Sequence, residues 1–177
     1  MESRKQQLSA LWEAHLRAEF ETKDLDEVMA TMVPEPMVNH IPTMTGGVGF
    51  QQVFHFYKNH FIPKIPADMH IRSVSRTAEG NMLVDEFVGA FTHDREIDFM
   101  LPGVAATGKY VELPHVVIVF FEGDKLSAEH IYWDQASLLA QIGLLDENQL
   151  PIVGVLQARK LIDKLLPANT LLKRLIG

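Results

Sequence analysis

Hydrophobic positions in this chain follow two periods, and the change between them falls near residue 70. Leu8, Leu11, Trp12, His15, Leu16 and Phe20 recur at helical spacing, and Ser3 with Gln6 can form a capping box ahead of them. A second short helix is expected near Leu25 to Met32, opened by Thr22 or Asp24 and stopped by Pro34 and Pro36. Met37-Val38-Asn39-His40-Ile41 reads as a short strand. Gly46 and Gly47 then lead into a third helix that buries Phe50, Val53, Phe54, Tyr57 and Phe61, with Pro63 and Pro66 ending it.

From His70 onward the period is 2. Strands are expected at about 69–77, 82–93, 95–101, 109–121 and 126–135. Glu79-Gly80-Asn81 and Glu122-Gly123-Asp124 are hairpin turns in which glycine supplies the positive φ. Three helices followed by hairpins predict an α+β fold, with the helices on one face of a curved antiparallel sheet. Residues 1–150 are expected to form that domain. Residues 151–177 are expected to form an amphipathic helical tail packed on the domain or on a partner subunit.

Composition narrows the function classes. A net charge of −7 opposes general nucleic-acid binding, because a phosphate backbone would be repelled. With no cysteine there are no disulfides, thiolate metal sites or cysteine nucleophiles. The polar N-terminus lacks a signal-peptide core, and no run approaches the roughly 18 apolar residues of a membrane span. A cytoplasmic protein is expected. The segment 155–177 carries Arg159, Lys160, Lys164, Lys173 and Arg174 against Asp163, so it is basic on an acidic body. That balance favours docking within the protein or on a second subunit over a membrane surface.

The densest chemistry lies in Glu129-His130-Ile131-Tyr132-Trp133-Asp134-Gln135. In a strand, His130, Tyr132 and Asp134 share one side, and Ile131 with Trp133 take the other. A carboxylate, a phenol and an imidazole on one face are costly to bury unpaired, so the pattern suggests a polar-lined pocket. His130 lies roughly 13 Å from Asp134 along such a strand and Tyr132 roughly 7 Å, so an imidazole that orients Asp134 must come from elsewhere. His93, His115 and His40 are the candidates. Asp134 also stands where it could cap a short helix starting near Ala136.

The helix-rich first third, the Ala106-Thr107-Gly108-Lys109 turn, and the last strand with Asp134 before Ser137-Leu138-Leu139-Ala140-Gln141-Ile142-Gly143 together resemble a known family. It is the SnoaL-like polyketide cyclase branch of the nuclear transport factor 2-like superfamily, and the resemblance covers roughly residues 8–146. It implies a cone-shaped barrel, in which three N-terminal helices close a strongly curved sheet around a deep pocket, and dimers formed through the outer face of the sheet. It also implies an aspartate acid/base group near the end of the last long strand, which is the place of Asp134.

The expected function is cofactor-independent acid/base chemistry on a small hydrophobic carbonyl compound: cyclisation, isomerisation or dehydration. Asp134, His93 and His40 are the expected catalytic residues, and Tyr132, His115, His130, Trp12, Tyr57 and Phe99 the expected substrate-binding ones. A non-catalytic ligand-binding or protein-interaction module of the same fold is the alternative, as is epoxide or lactone hydrolysis. Arg95-Glu96-Ile97-Asp98 lacks the Arg-x-Asp spacing of the superfamily's epoxide hydrolases. No metal site is expected, since His55 and His60 are five apart and no His-Glu-x-x-His occurs. No glycine-rich phosphate loop or Gly-x-Ser-x-Gly elbow is present.

Overall fold

The computed structural model describes residues 3–175. Helix α1 (Arg4–Arg17) starts at the capping box: Gln6 N–H donates to Ser3 Oγ, and Ser3 N–H donates to Gln6 Oε1 at 2.8 Å. It runs on into a π-helical turn, Ala18–Thr22, where Ala18 and Glu19 are both buried. Such widened turns recur at functional sites. Asp24, rather than Thr22, caps α2 (Leu25–Ala30).

The chain then departs from expectation. Strand β1 (Met32–His40) runs through the proline pair instead of beginning after it. Its pairing with the last strand shifts between Met32 and Met37, and that irregularity spans the two residues that lack a ladder donor. The glycines Gly46 and Gly47 do not simply release the chain into a helix; they lie in β2 (Thr45–Val48), which pairs with β1. A Cβ at Gly46 would fall 2.0 Å from the Val38 carbonyl oxygen, so only glycine fits there. Helix α3 (Phe50–Phe56) continues as a second π-helical turn, Tyr57–Phe61. Val53, Phe56, Tyr57 and Phe61 are buried, whereas Phe50 is exposed.

Strands β3 (His70–Glu79), β4 (Met82–Thr92), β5 (Tyr110–Glu122) and β6 (Lys125–Trp133) form the expected meander. Residues 95–101 are not a strand. Ile97, Phe99, Met100 and Leu101 are all buried, which an alternating strand with one exposed face would not allow. The amides of Met100 and Leu101 bond back to the Ile97 carbonyl.

The sheet order is β2-β1-β6-β5-β4-β3. β6 lies between β5, to which it is antiparallel, and β1, to which it is parallel, so the sheet is mixed rather than wholly antiparallel. The inward residues of β4, β5 and β6 form one core with residues of α1, α2 and α3, including Leu8, Trp12, Val28 and Val53.

Helix α4 (Gln135–Gln141) follows β6, and α5 (Leu156–Ile162) packs on β5 with Ala158 buried. Arg159 reaches Glu112 of β5 at 2.7 Å, and Ser137 Oγ donates to the Gly154 carbonyl at 2.9 Å. No helix among the described residues is long and apolar enough to cross a membrane.

Candidate functional site

A bulge decides which residues of β6 face the interior. Phe121 pairs with Leu126 but Phe120 pairs with Ala128, so Ser127 is passed over. Leu126 points inward, and unbroken alternation from it would bring His130, Tyr132 and Asp134 inward as well. The extra residue reverses the phase, so Glu129, Ile131 and Trp133 are buried instead.

The expected polar face is therefore corrected. Tyr132 and Asp134 are exposed, and His130 lies half-buried edge-on to Phe120, 5.2 Å between ring centroids. Asp134 is the N-cap of α4: Oδ1 accepts from Ser137 N–H at 3.2 Å, and Oδ2 accepts from Gln157 Nε2 at 2.9 Å. It does not face the cavity. His93 is buried at the end of β4, with Nδ1 3.0 Å from Thr107 Oγ1, where its backbone anchors the 107–109 turn. It is not part of the cavity wall either.

The interior holds a cavity of about 60 Å³. Trp12, Phe87, Phe99 and Trp133 supply much of its apolar wall, and Glu19, His40 and His115 are its ionisable members. Thus His40, expected to be catalytic, and His115, Trp12 and Phe99, expected to bind substrate, line one cavity, while Tyr57 stands behind the wall. A surface depression beside α1 shares Leu16, Phe20, Met69 and Ile71 with the cavity, so those four side chains form the partition between interior and solvent.

His40 and His115 are tied in the same way. His40 Nδ1 lies 3.2 Å from the Thr45 carbonyl oxygen, and His115 Nδ1 2.9 Å from that of Leu113. A carbonyl only accepts, so each ring is protonated at Nδ1 and carries its lone pair at Nε2. Burial in aromatic surroundings holds both imidazoles neutral, with pKa values lowered to about 4. His40 is ringed by Phe56, Phe61, Phe99 and Trp133, and His115 stacks on Phe87 at 5.0 Å and 9°. A Cβ on Gly89 would lie 3.1 Å from His115 Cε1, so this glycine leaves room for the ring.

Glu19 belongs to a buried polar cluster that the sequence reading missed. His15 Nε2 is 3.1 Å from Glu19 Oε1 and 3.2 Å from Glu129 Oε1, and the Tyr57 hydroxyl donates to Glu19 Oε1 at 2.7 Å. Thr31 gives its hydroxyl proton to the Val28 carbonyl at 2.6 Å, so it accepts from His15 Nδ1–H at 2.6 Å. His15 Nε2 then faces the two carboxyl groups, and despite the cost of burial they raise its pKa to about 10. Burial raises the Glu129 pKa, against the pull of His15. At neutral pH His15 is therefore an imidazolium between two buried carboxyl groups, with Glu129 held toward its neutral form.

His15, Glu19 and Glu129 are also the one group among the described residues whose donor types and spacing could hold a metal ion. The hydrogen bonds and opposite charges named above already satisfy the donors that face one another. Two signals in the sequence marked this cluster. His15 and Glu19 are one helical turn apart beside the apolar stripe, and Glu129 alternates with Ile131 and Trp133.

No family model matches the sequence, and no curated protein matches it. Solved structures do resemble it. A candidate SnoaL-like polyketide cyclase from Jannaschia sp. is 18% identical, with a TM-score of 0.62, covering 82% of this chain and 99% of that one. TsrD from Streptomyces laurentii is 16% identical, with a TM-score of 0.62, covering 82% and 100%. An NTF2-like protein of unknown function from Burkholderia pseudomallei is 20% identical, with a TM-score of 0.59, covering 77% and 98%. At these identities the likeness is one of fold, and it agrees with the resemblance read from the sequence.

Proposed function

We propose, on the premise that this chain has the nuclear transport factor 2-like fold, that it is a cofactor-independent acid/base enzyme acting on a small hydrophobic molecule. The reaction class is isomerisation, dehydration or cyclisation, a range that suits a fold shared with candidate cyclases and ketosteroid isomerase-like proteins. One observation carries the reading: a single carboxyl group, Glu19, in a largely apolar cavity wall that also holds His40 and His115. The role expected of Asp134 passes to it.

Glu19 removes the proton. Its Oε1 is held from behind by Tyr57 and His15, which fixes the group and stabilises its charge. Water is scarce in such a wall, so the carboxylate meets the substrate largely desolvated. The proton taken from carbon returns to another carbon in an isomerisation, or leaves with a hydroxyl group in a dehydration. His40 and His115, neutral above about pH 4, orient the substrate through their Nε2 lone pairs.

The test is turnover of a panel of small cyclic ketones, hydroxy ketones and unsaturated ketones by purified protein, compared with Glu19→Gln. Loss of about 10²–10⁴-fold in that variant, with an unchanged far-ultraviolet spectrum, supports the proposal. Turnover indifferent to Glu19, or none across the panel, removes it.

A further inference from the structure

The side chains of the cavity wall offer a ligand acceptors and no free donor. The Trp12 indole N–H is committed to Asp85 Oδ2 at 2.8 Å, and that of Trp133 to Gln135 Oε1 at 2.6 Å. Tyr57 spends its hydroxyl proton on Glu19. His40 and His115 spend their Nδ1 protons on backbone carbonyls. What remains in the wall is the Glu19 carboxylate and two imidazole Nε2 lone pairs. Neither Nε2 is among the buried polar atoms sealed away without a partner, although His40 is 4% exposed and His115 8%. Both therefore keep access to free space, which for these residues is the cavity they line.

Charge does not alter that conclusion. The Glu19 carboxylate is balanced by the His15 imidazolium behind it, so the cavity has no uncompensated charge to draw a cation. A carbonyl oxygen placed here would meet only acceptors and would lose its hydrogen bonds to water without replacement. A hydroxyl group would find the partner that the imidazoles lack. As for size, about 60 Å³ is room for roughly four waters, well short of the ~150 Å³ that admits a benzene ring, so the ligand has about four or five heavy atoms.

We propose that the ligand of this cavity is a small aliphatic hydroxy compound, a short-chain alcohol or enol, whose O–H donates to Nε2 of His40 or His115 while its carbon chain packs among the aromatic walls. This rests on the reading of the cavity as the substrate site, and it narrows the substrate from a carbonyl compound to one bound through its hydroxyl group.

Both tryptophans of the chain line the cavity, so their fluorescence reports its occupancy. The experiment titrates the full-length protein at pH 7 with 2-butanol, butanone, 1-butanol and diethyl ether. The two alcohols are expected to bind at least tenfold tighter than the ketone and the isomeric ether, because a site built to pair a hydroxyl discriminates against analogues that lack it. His40→Phe and His115→Phe together should erase that preference while apolar binding persists. Equal or tighter binding of butanone overturns this proposal and leaves the cavity's role intact. Should none of the four bind, the cavity is not a small-molecule site, and both readings fall.

Discussion

His15 and Glu19 face each other across one helical turn at 3.1 Å, with side chains 0% and 5% exposed. Removing one partner of such a pair leaves an uncompensated buried charge, which costs about 3–5 kcal/mol. His15→Gln is expected to lower unfolding free energy in urea by that order. The pH dependence follows from the proton balance. His15 binds its proton more tightly folded, at about 10, than unfolded, at 6.5. Its contribution is therefore full below pH 6.5 and is lost as pH rises toward 10. The wild type should lose stability across that window, and His15→Gln should lose less.

The two cavity histidines act in the opposite direction. Their folded values of about 4 lie below the unfolded 6.5, so the unfolded chain takes up protons that the folded one refuses. Stability is full above pH 6.5 and falls as pH drops toward 4, by roughly 3 kcal/mol for each ring. His115→Phe should flatten that acid limb in a melting-temperature series from pH 7 to pH 4.

Asp134 is expected to matter for stability and not for chemistry. Asp134→Ala removes the acceptor of Ser137 N–H and of Gln157 Nε2, and cap removal costs about 0.5–2 kcal/mol. Asp134→Asn, which can still cap, should be nearly neutral. Turnover falling with either variant as steeply as with Glu19→Gln would contradict the exposed position of this carboxylate.

Gly89→Ala tests the fit around His115. The added methyl carbon meets the ring at 3.1 and 3.3 Å, tighter than ordinary contact, in a closely packed wall. A cost of about 1–3 kcal/mol is expected by calorimetry, together with weaker binding of hydroxy compounds as the imidazole is displaced.

Much of this architecture was legible before any coordinates. The capping box at Ser3, the meander after His70 and the two glycine hairpin turns rest on local rules, and they stand as read. The stretch 95–101 failed as a strand because four of its residues are buried without alternation. The site was half legible. His40, His115, Trp12 and Phe99 were named as candidates, but their meeting place depends on a tertiary arrangement that alternation does not encode. Asp134 was placed in a pocket because it shares a strand face with His130 and Tyr132 and stands where the family resemblance puts an acid/base group, but beyond the bulge at Ser127 that face is the outer one. Glu19 was overlooked because a carboxylate next to an apolar stripe ordinarily reads as solvent-facing.

The place of β6 between β1 and β5 has a consequence for biosynthesis. The strand that joins the two halves of the sheet ends at Trp133, so a ribosome has made three-quarters of the protein before β1 can find its parallel neighbour. Until then β1 and β2 have no sheet to join, and β5 offers an unpaired edge that invites association with other nascent chains. Pairing across so many residues is slow, because a long loop must close before any contact repays it. Refolding from denaturant should therefore wait on the docking of a single late strand, and chains ending before it should be found with chaperones rather than free.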